Sequence, residues 1–454
     1  MHGSNASVFD STLYSPLFTQ IEMKRVWSDE NLIRTWLTFE VSIAEVQAEL
    51  GLIPCSAVAS IERICNLQNI DWERLALETQ EVGMAIKPLV DQLAERGDDD
   101  VKKYLHWGCT TQDLLDTSLA MRVKQTLDII RGQLITLGNQ LKLMALTHKQ
   151  TVMVARTNAM DALPTTWGLQ VSSYLQEVTR HLVRLDEIYP RATTGMYGGA
   201  VGNLSSIGEE GLHVRKRLFA KLQLTEPKGL RNASLDHIAE LIQFFALVHG
   251  SLCRIANDTE TMGRASIGEV REGEAGGGSS TMPHKANPRA ANMIQTLSRM
   301  GWMYASGAPN LMDQQDVRSA SMRVLNWSLV PEASLALSTS LERTERLIAN
   351  LIVNESKMLE NFSASRNFIM SEAVMMKVAE KLGRGDGYNK VKAAISNAPD
   401  QGELANVLKR DQGVSAILSA GEIDAACDPK HYLGCNEELI DETIEQYRKV
   451  AGSC

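Results

Sequence analysis

Residues 276–288 read Gly-Gly-Gly-Ser-Ser-Thr-Met-Pro-His-Lys-Ala-Asn-Pro. Three consecutive glycines leave the backbone free to bend and to approach a ligand closely. Ser279 and Ser280 follow them, and Lys285 and Asn287 come six and eight residues after Ser279. A hydroxyl, a cation and an amide donor on one short segment could close together on a single anion, as a mobile lid does. The same composition also suits a flexible surface linker. A phosphate-binding loop of the Gly-Lys-Ser/Thr kind is a poor match, because Lys285 is followed by Ala286.

Such a loop needs rigid elements to hold it, and the sequence supplies long helices. Leu119, Val123, Leu127, Ile130, Leu134, Leu137 and Leu141 are spaced 4, 4, 3, 4, 3 and 4. Val171, Leu175, Val178, Leu182 and Leu185 form a second stripe, and Ile238, Leu241, Phe245, Val248, Leu252 and Ile255 a third. This three-and-four spacing predicts three helices, the first over Asp113 to about Leu146. No comparable stretch alternates with period two, so an all-α fold is expected. Pro164 precedes the second stripe, at a place where a helix start tolerates proline. Helices this long exceed the mean of about 11–12 residues, and their apolar stripes call for a bundle shared between subunits. The expected organisation is a helical segment 1–112, a central bundle 113–355 carrying the loop 273–288, and a helical segment 356–454.

The bulk properties narrow the class. The chain has 454 residues, 44% hydrophobic, 22% charged and only 5% aromatic, which suits a globular protein packed by aliphatics. A net charge of −9 argues against a nucleic-acid surface, so positive charge for an anionic substrate must be concentrated locally. No apolar run approaches the ~18–20 residues of a membrane span, and the opening MHGSNASVFDSTLYSPLF lacks the pattern of a signal peptide. Seven scattered cysteines point to reduced thiols and a cytoplasmic setting. Cys427, His431 and Cys435 fit no common zinc spacing, and neither a metal nor an organic cofactor is expected.

Three blocks carry a resemblance. GSSTMPHKANP at Gly278–Pro288 resembles the signature loop of the fumarase/aspartase superfamily. HWGCTTQDLLDT at His106–Thr117 resembles its first block, and ARTNAMDALPTTWG at Ala155–Gly168 with YGGAVGNLSSIG at Tyr197–Gly208 its second. The similarity extends over essentially the whole chain and points to the 3-carboxy-cis,cis-muconate cycloisomerase branch. It implies a homotetramer in which three chains build each site, acting on a small dicarboxylate or tricarboxylate. Ser279 then matches the base that removes a proton next to a carboxylate, a role that requires strong stabilisation of its alkoxide. Lys285 and Asn287 match the groups that hold the resulting dianionic aci-carboxylate. Thr110, Thr111, Ser280 and Arg318 match substrate-contacting positions, with Tyr14 a further candidate. His106 reads as structural and His284 as non-catalytic.

The second block departs from the pattern. Lyases of the adenylosuccinate type carry two histidines in an Arg-Thr-His-x-x-His-Ala run, whereas this chain reads Arg156-Thr157-Asn158-Ala159-Met160-Asp161-Ala162. Asn158 can contact substrate but cannot transfer a proton, and Asp161 can act as an acid only if its surroundings raise its pKa. A carbanion formed without an acid for the leaving group returns to its starting skeleton, and a proton from the opposite face inverts the centre. The resemblance therefore implies epimerisation of an N-linked disuccinate such as iminodisuccinate, with Asp161, Cys109 or another group as second acid. β-Elimination or 3-carboxy-cis,cis-muconate cycloisomerisation is the alternative, and a catalytically silent structural role a second one.

Overall fold

The computed structural model describes residues 6–229, 234–273, 281–282, 284–365, 367–398 and 402–452. The three stripes fold as helices Thr111–Thr147, Trp167–Ala192 and Asp236–Met262, each extending past the predicted core of its pattern. Two more long helices, Arg289–Gly307 and Ala320–Ala349, follow. Every stripe residue from Leu119 to Leu141 is buried, as are Val171 to Leu185 and Ile238 to Ile255. Each such aliphatic side chain contributes roughly 1.5–3 kcal/mol by leaving water. The Asp236–Met262 helix is, among the described residues, the one long and apolar enough to cross a membrane. Most of its apolar window is buried within the protein, which is the signature of a core helix.

The chain forms two compact units. The first comprises Met1–Gln133, Val183–Gly250 and Thr296–Glu342. Its core gathers Trp36, Phe39 and Ile43 of the helix Asp29–Glu49 with Leu114, Tyr197 and Phe219. That helix starts cleanly because the Ser28 side chain accepts from the Asn31 N–H, satisfying a donor the first turn leaves open. The second unit comprises Leu134–Leu182, Ser251–Gln295 and Arg343–Cys454. There Phe362, Met370, Val374, Val378, Leu404, Leu408 and Ile423 pack with Val154.

Val154 belongs to a feature the helical periodicity does not announce. Strands β1 (Val152–Thr157) and β2 (Met160–Thr166) pair antiparallel, Val152 opposite Thr166 and Thr157 opposite Met160. Only Asn158 and Ala159 lie between them, at φ 51° and 64°, the left-handed pair a two-residue hairpin turn requires. Pro164 therefore stands in β2 opposite Val154, not at a helix start, and the helix begins at Trp167. A two-stranded ribbon leaves one side of each strand unpaired, so a residue without an N–H is accommodated. A second ribbon joins β3 (Val270–Glu272) to β4 (Leu351–Val353). The fold remains predominantly helical, and these ribbons are small additions to it.

Candidate active site

The first block lies in the first unit. His106 has φ 59°, and its backbone N–H donates to Glu40 Oε2 at 3.1 Å while its Nδ1 lies 2.5 Å from Glu40 Oε1. The fully buried Glu40 carboxylate thus fixes both backbone and ring of His106. Gly108 follows at φ 70°, where a Cβ would fall 2.3 Å from Ile207 Cδ1, so only glycine fits the turn. Gln47 Nε2 donates to the Trp107 carbonyl at 2.8 Å and Ser206 Oγ to that of Gly108 at 2.8 Å.

This anchored segment delivers Thr110 and Thr111 to the start of a 37-residue helix. The Thr110 N–H donates to Asp113 Oδ2 at 3.0 Å, and the Asp113 N–H returns to the Thr110 carbonyl at 3.0 Å. This turn lies at the end of the helix where the dipole favours anions. Asp113 also accepts from Gly198 N at 2.8 Å and Gly199 N at 3.2 Å. Thr117 Oγ1 donates to the Met196 carbonyl at 2.7 Å. The YGGAVGNLSSIG stretch is therefore docked against the first block.

Burial sets the protonation of this cluster. Asp113 is pushed up to about 6 by desolvation, opposed by the hydrogen bonds from Gly198, Thr110 and Gly199 and by the charge of His106. Burial pulls the His106 imidazolium down, but the charge and hydrogen bond of Glu40, with the charge of Asp113, outweigh it and the net direction is up. The Cys109 thiol is raised well above its ordinary value by burial first and by Glu40 and Asp113 next. Near neutrality the thiol is therefore protonated.

Two further sequence candidates lie in the same unit. Arg318 is half-buried, and its Nη1 is sequestered with no hydrogen-bond partner among the described residues. A buried N–H without a partner is costly unless a ligand supplies one, which suits a carboxylate contact. Tyr14 is 55% exposed, and its backbone N–H bonds the Ser11 hydroxyl.

The second unit holds the rest. Asn158 occupies the hairpin tip and is exposed. Asp161 Oδ1 lies 3.3 Å from Arg156 Nε, and its side chain is 45% exposed. Arg156 also grips Glu269, Nη1 to Oε2 and Nη2 to Oε1, both at 2.7 Å. Asn361 Nδ2 adds a bond to Glu269 Oε1 at 2.9 Å.

Lys285 is exposed, its N–H bonded to the Met282 carbonyl at 3.0 Å, and Asn287 is half-buried. Glu272, at the end of β3, caps the Arg289–Gly307 helix by accepting from Ala290 N at 3.0 Å and Ala291 N at 2.9 Å. The two flanks of the loop 273–288 are thereby tied together. Ser279 and Ser280 lie outside the described residues. Among the described residues, no three His, Cys, Asp or Glu side chains gather to hold a metal ion.

The sequence candidates are thus grouped as Thr110, Thr111, Arg318 and Tyr14 in one unit, with Asn158, Asp161, Lys285 and Asn287 in the other. Asp113 and Arg156 lie inside the first and second blocks, where the sequence alone assigns them no role. A threonine followed three residues later by an acid is a helix-start signal, and it could have marked Asp113.

Comparison with known proteins bears on this arrangement. The family model described as lyase matches residues 16–300, and that of the adenylosuccinate lyase C-terminus matches 367–443. A 3-carboxy-cis,cis-muconate cycloisomerase of Bradyrhizobium diazoefficiens is 32% identical over 97% of this chain and 99% of its own. The chain belongs to the fumarase/aspartase superfamily. It is an enzyme of that superfamily's cycloisomerase branch. Trans-aconitate decarboxylase 1 of Mycosarcoma maydis is also 32% identical, over 95% of this chain and 88% of its own. The crystal structure of a 3-carboxy-cis,cis-muconate lactonizing enzyme from Pseudomonas putida superposes with a TM-score of 0.90 at 30% identity, covering 97% of this chain and 100% of that one.

Proposed function

We propose that this enzyme removes a proton next to a carboxylate of a succinate-like substrate and returns it on the other face, with epimerisation of iminodisuccinate as the net reaction. Ser279 is the base, and Lys285 and Asn287 hold the aci-carboxylate that develops when the proton leaves. Thr110, Thr111, Asn158, Ser280 and Arg318 bind the remaining carboxylates, and Tyr14 covers the substrate. The bundle segment 113–355, flanked by 1–112 and 356–454, associates as a homotetramer in the cytoplasm, which brings residues of different chains into each site.

The observation that carries this reading is the hairpin tip. Asn158 cannot transfer a proton, and Asp161 beside it is solvent-exposed and paired with Arg156. Asn158 offers a leaving amine no proton, whereas water reaching the exposed Asp161 can return a proton to the carbanion. Cys109, whose thiol stays protonated, is the other candidate for the second acid. The alternative is cycloisomerisation or β-elimination, favoured by the likeness to the Bradyrhizobium cycloisomerase.

Ultraviolet absorbance separates the two. Purified enzyme is incubated with each iminodisuccinate stereoisomer and, separately, with 3-carboxy-cis,cis-muconate. Isomer interconversion without a new alkene band supports epimerisation. Formation of fumarate, or loss of the muconate band, overturns it in favour of the alternative.

A further inference from the structure

Within the first unit, a cavity of about 330 Å³ opens beside the Thr111–Thr147 helix. That volume is in the range of sites for small organic ligands. Its walls include the indoles of Trp27, Trp36 and Trp327, and two arginines reach it, Arg122 and Arg323. Arg323 is neutralised, since its Nη1 donates to both oxygens of Asp116, at 3.1 Å and 2.9 Å.

Arg122 is not matched in this way. Its guanidinium lies 4.8 Å from the centre of the Trp27 ring, and its Nε is sequestered from solvent with no hydrogen-bond partner among the described residues. Asp29 lines the same cavity and its charge acts on Arg122, yet among the described residues no ion pair closes between them. Burial pulls Arg122 down to about 10, so it still carries its charge at neutral pH. A sequestered Nε–H on a charged guanidinium is a donor that a ligand in this cavity can satisfy. The three indoles around it offer flat apolar faces.

We infer that this cavity is a binding site for a planar carboxylate, its apolar body between the tryptophans and its carboxylate on the fork of Arg122. A guanidinium already stacked on an indole presents its N–H groups edge-on, which suits bidentate carboxylate recognition. Arg122 lies eleven residues along the helix from Thr111, about 16 Å at 1.5 Å per residue. The carboxylate on Arg122 therefore lies well along the helix from its start, although Gln112 of the first turn also lines the cavity, and the assignment does not rest on the proposed reaction.

Isothermal titration calorimetry of the full-length protein with naphthalene-2-carboxylate tests this, with naphthalene-2-carboxamide as the uncharged control. Saturable one-to-one binding of the acid is expected, with the amide at least tenfold weaker. Arg122→Met and Trp327→Ala should each weaken the acid at least tenfold. Trp327 is 46% exposed, so its replacement leaves the fold intact even if the Arg122 variant does not fold. Binding unchanged in the variants, which would place the acid at a catalytic carboxylate position, overturns the assignment. So does the absence of binding, as when a side chain of a second copy fills the cavity.

Discussion

Arg156 and Glu269 form a two-pronged ion pair, Nη1 to Oε2 and Nη2 to Oε1, each at 2.7 Å. The glutamate side chain is fully buried, whereas the arginine keeps 22% of its surface. That asymmetry decides which partner is the more dangerous to remove. Without Arg156, a buried carboxylate retains only neutral donors such as Asn361. Without Glu269, the guanidinium still has Asp161 and water. Arg156→Ala is expected to destabilise the protein by about 3–5 kcal/mol, and Glu269→Gln by clearly less. Urea denaturation of both single variants and the double variant checks this, the double being expected to recover part of the Arg156→Ala loss. Equal losses for the two singles would contradict the asymmetry.

The hairpin carries a strain that one atom group explains. Ala159 sits at φ 64°, a left-handed conformation that costs a residue with a Cβ roughly 1–2 kcal/mol. Asn158 beside it belongs to the type that tolerates this region. Ala159→Gly is expected to raise stability by about 1 kcal/mol, after allowing for the freedom glycine adds to the unfolded chain. A lowered denaturation midpoint would contradict the strain.

The helices were legible in the sequence because a buried stripe repeats every three or four residues, and Leu119 to Leu141 has no interruption. The hairpin was not. Its turn is Asn-Ala where Asn-Gly would have announced it, and β1 buries two consecutive residues, Met153 and Val154, instead of alternating. A register shift between Val154 and Arg156 blurs the period further. Of the candidate site, the blocks themselves could be read, but not the partners that anchor them. Glu40 stands 66 residues from His106, and Glu269 stands 113 residues from Arg156. No local pattern links positions that far apart, so only the fold reveals which acid holds which base.

Asp113 makes stability depend on pH in a defined window. Its pKa rises from an ordinary 3.8 to about 6 in the folded protein. Between those values the unfolded chain has lost this proton while the folded one retains it. The unfolded state then binds fewer protons, so this contribution is fully present below pH 3.8 and is lost as pH rises through about 6. The slope is at most roughly 1.4 kcal/mol per pH unit. Asp113→Asn keeps an acceptor for the Gly198 N–H but removes the titration. The difference in unfolding free energy between parent and variant is expected to fall from pH 4 to pH 6 and then level. A flat difference would mean that Asp113 is ionised throughout.

In the proposed reaction Ser279 takes a proton from carbon next to a carboxylate, and the carbanion is reprotonated. Proton NMR of iminodisuccinate stereoisomers with the enzyme in D₂O reads this step directly. The expected result is deuterium at the α-position as one isomer converts to another, without fumarate, and a loss of several orders of magnitude in rate for Ser279→Ala. Fumarate formation, or a Ser279→Ala variant within tenfold of the parent, would contradict it.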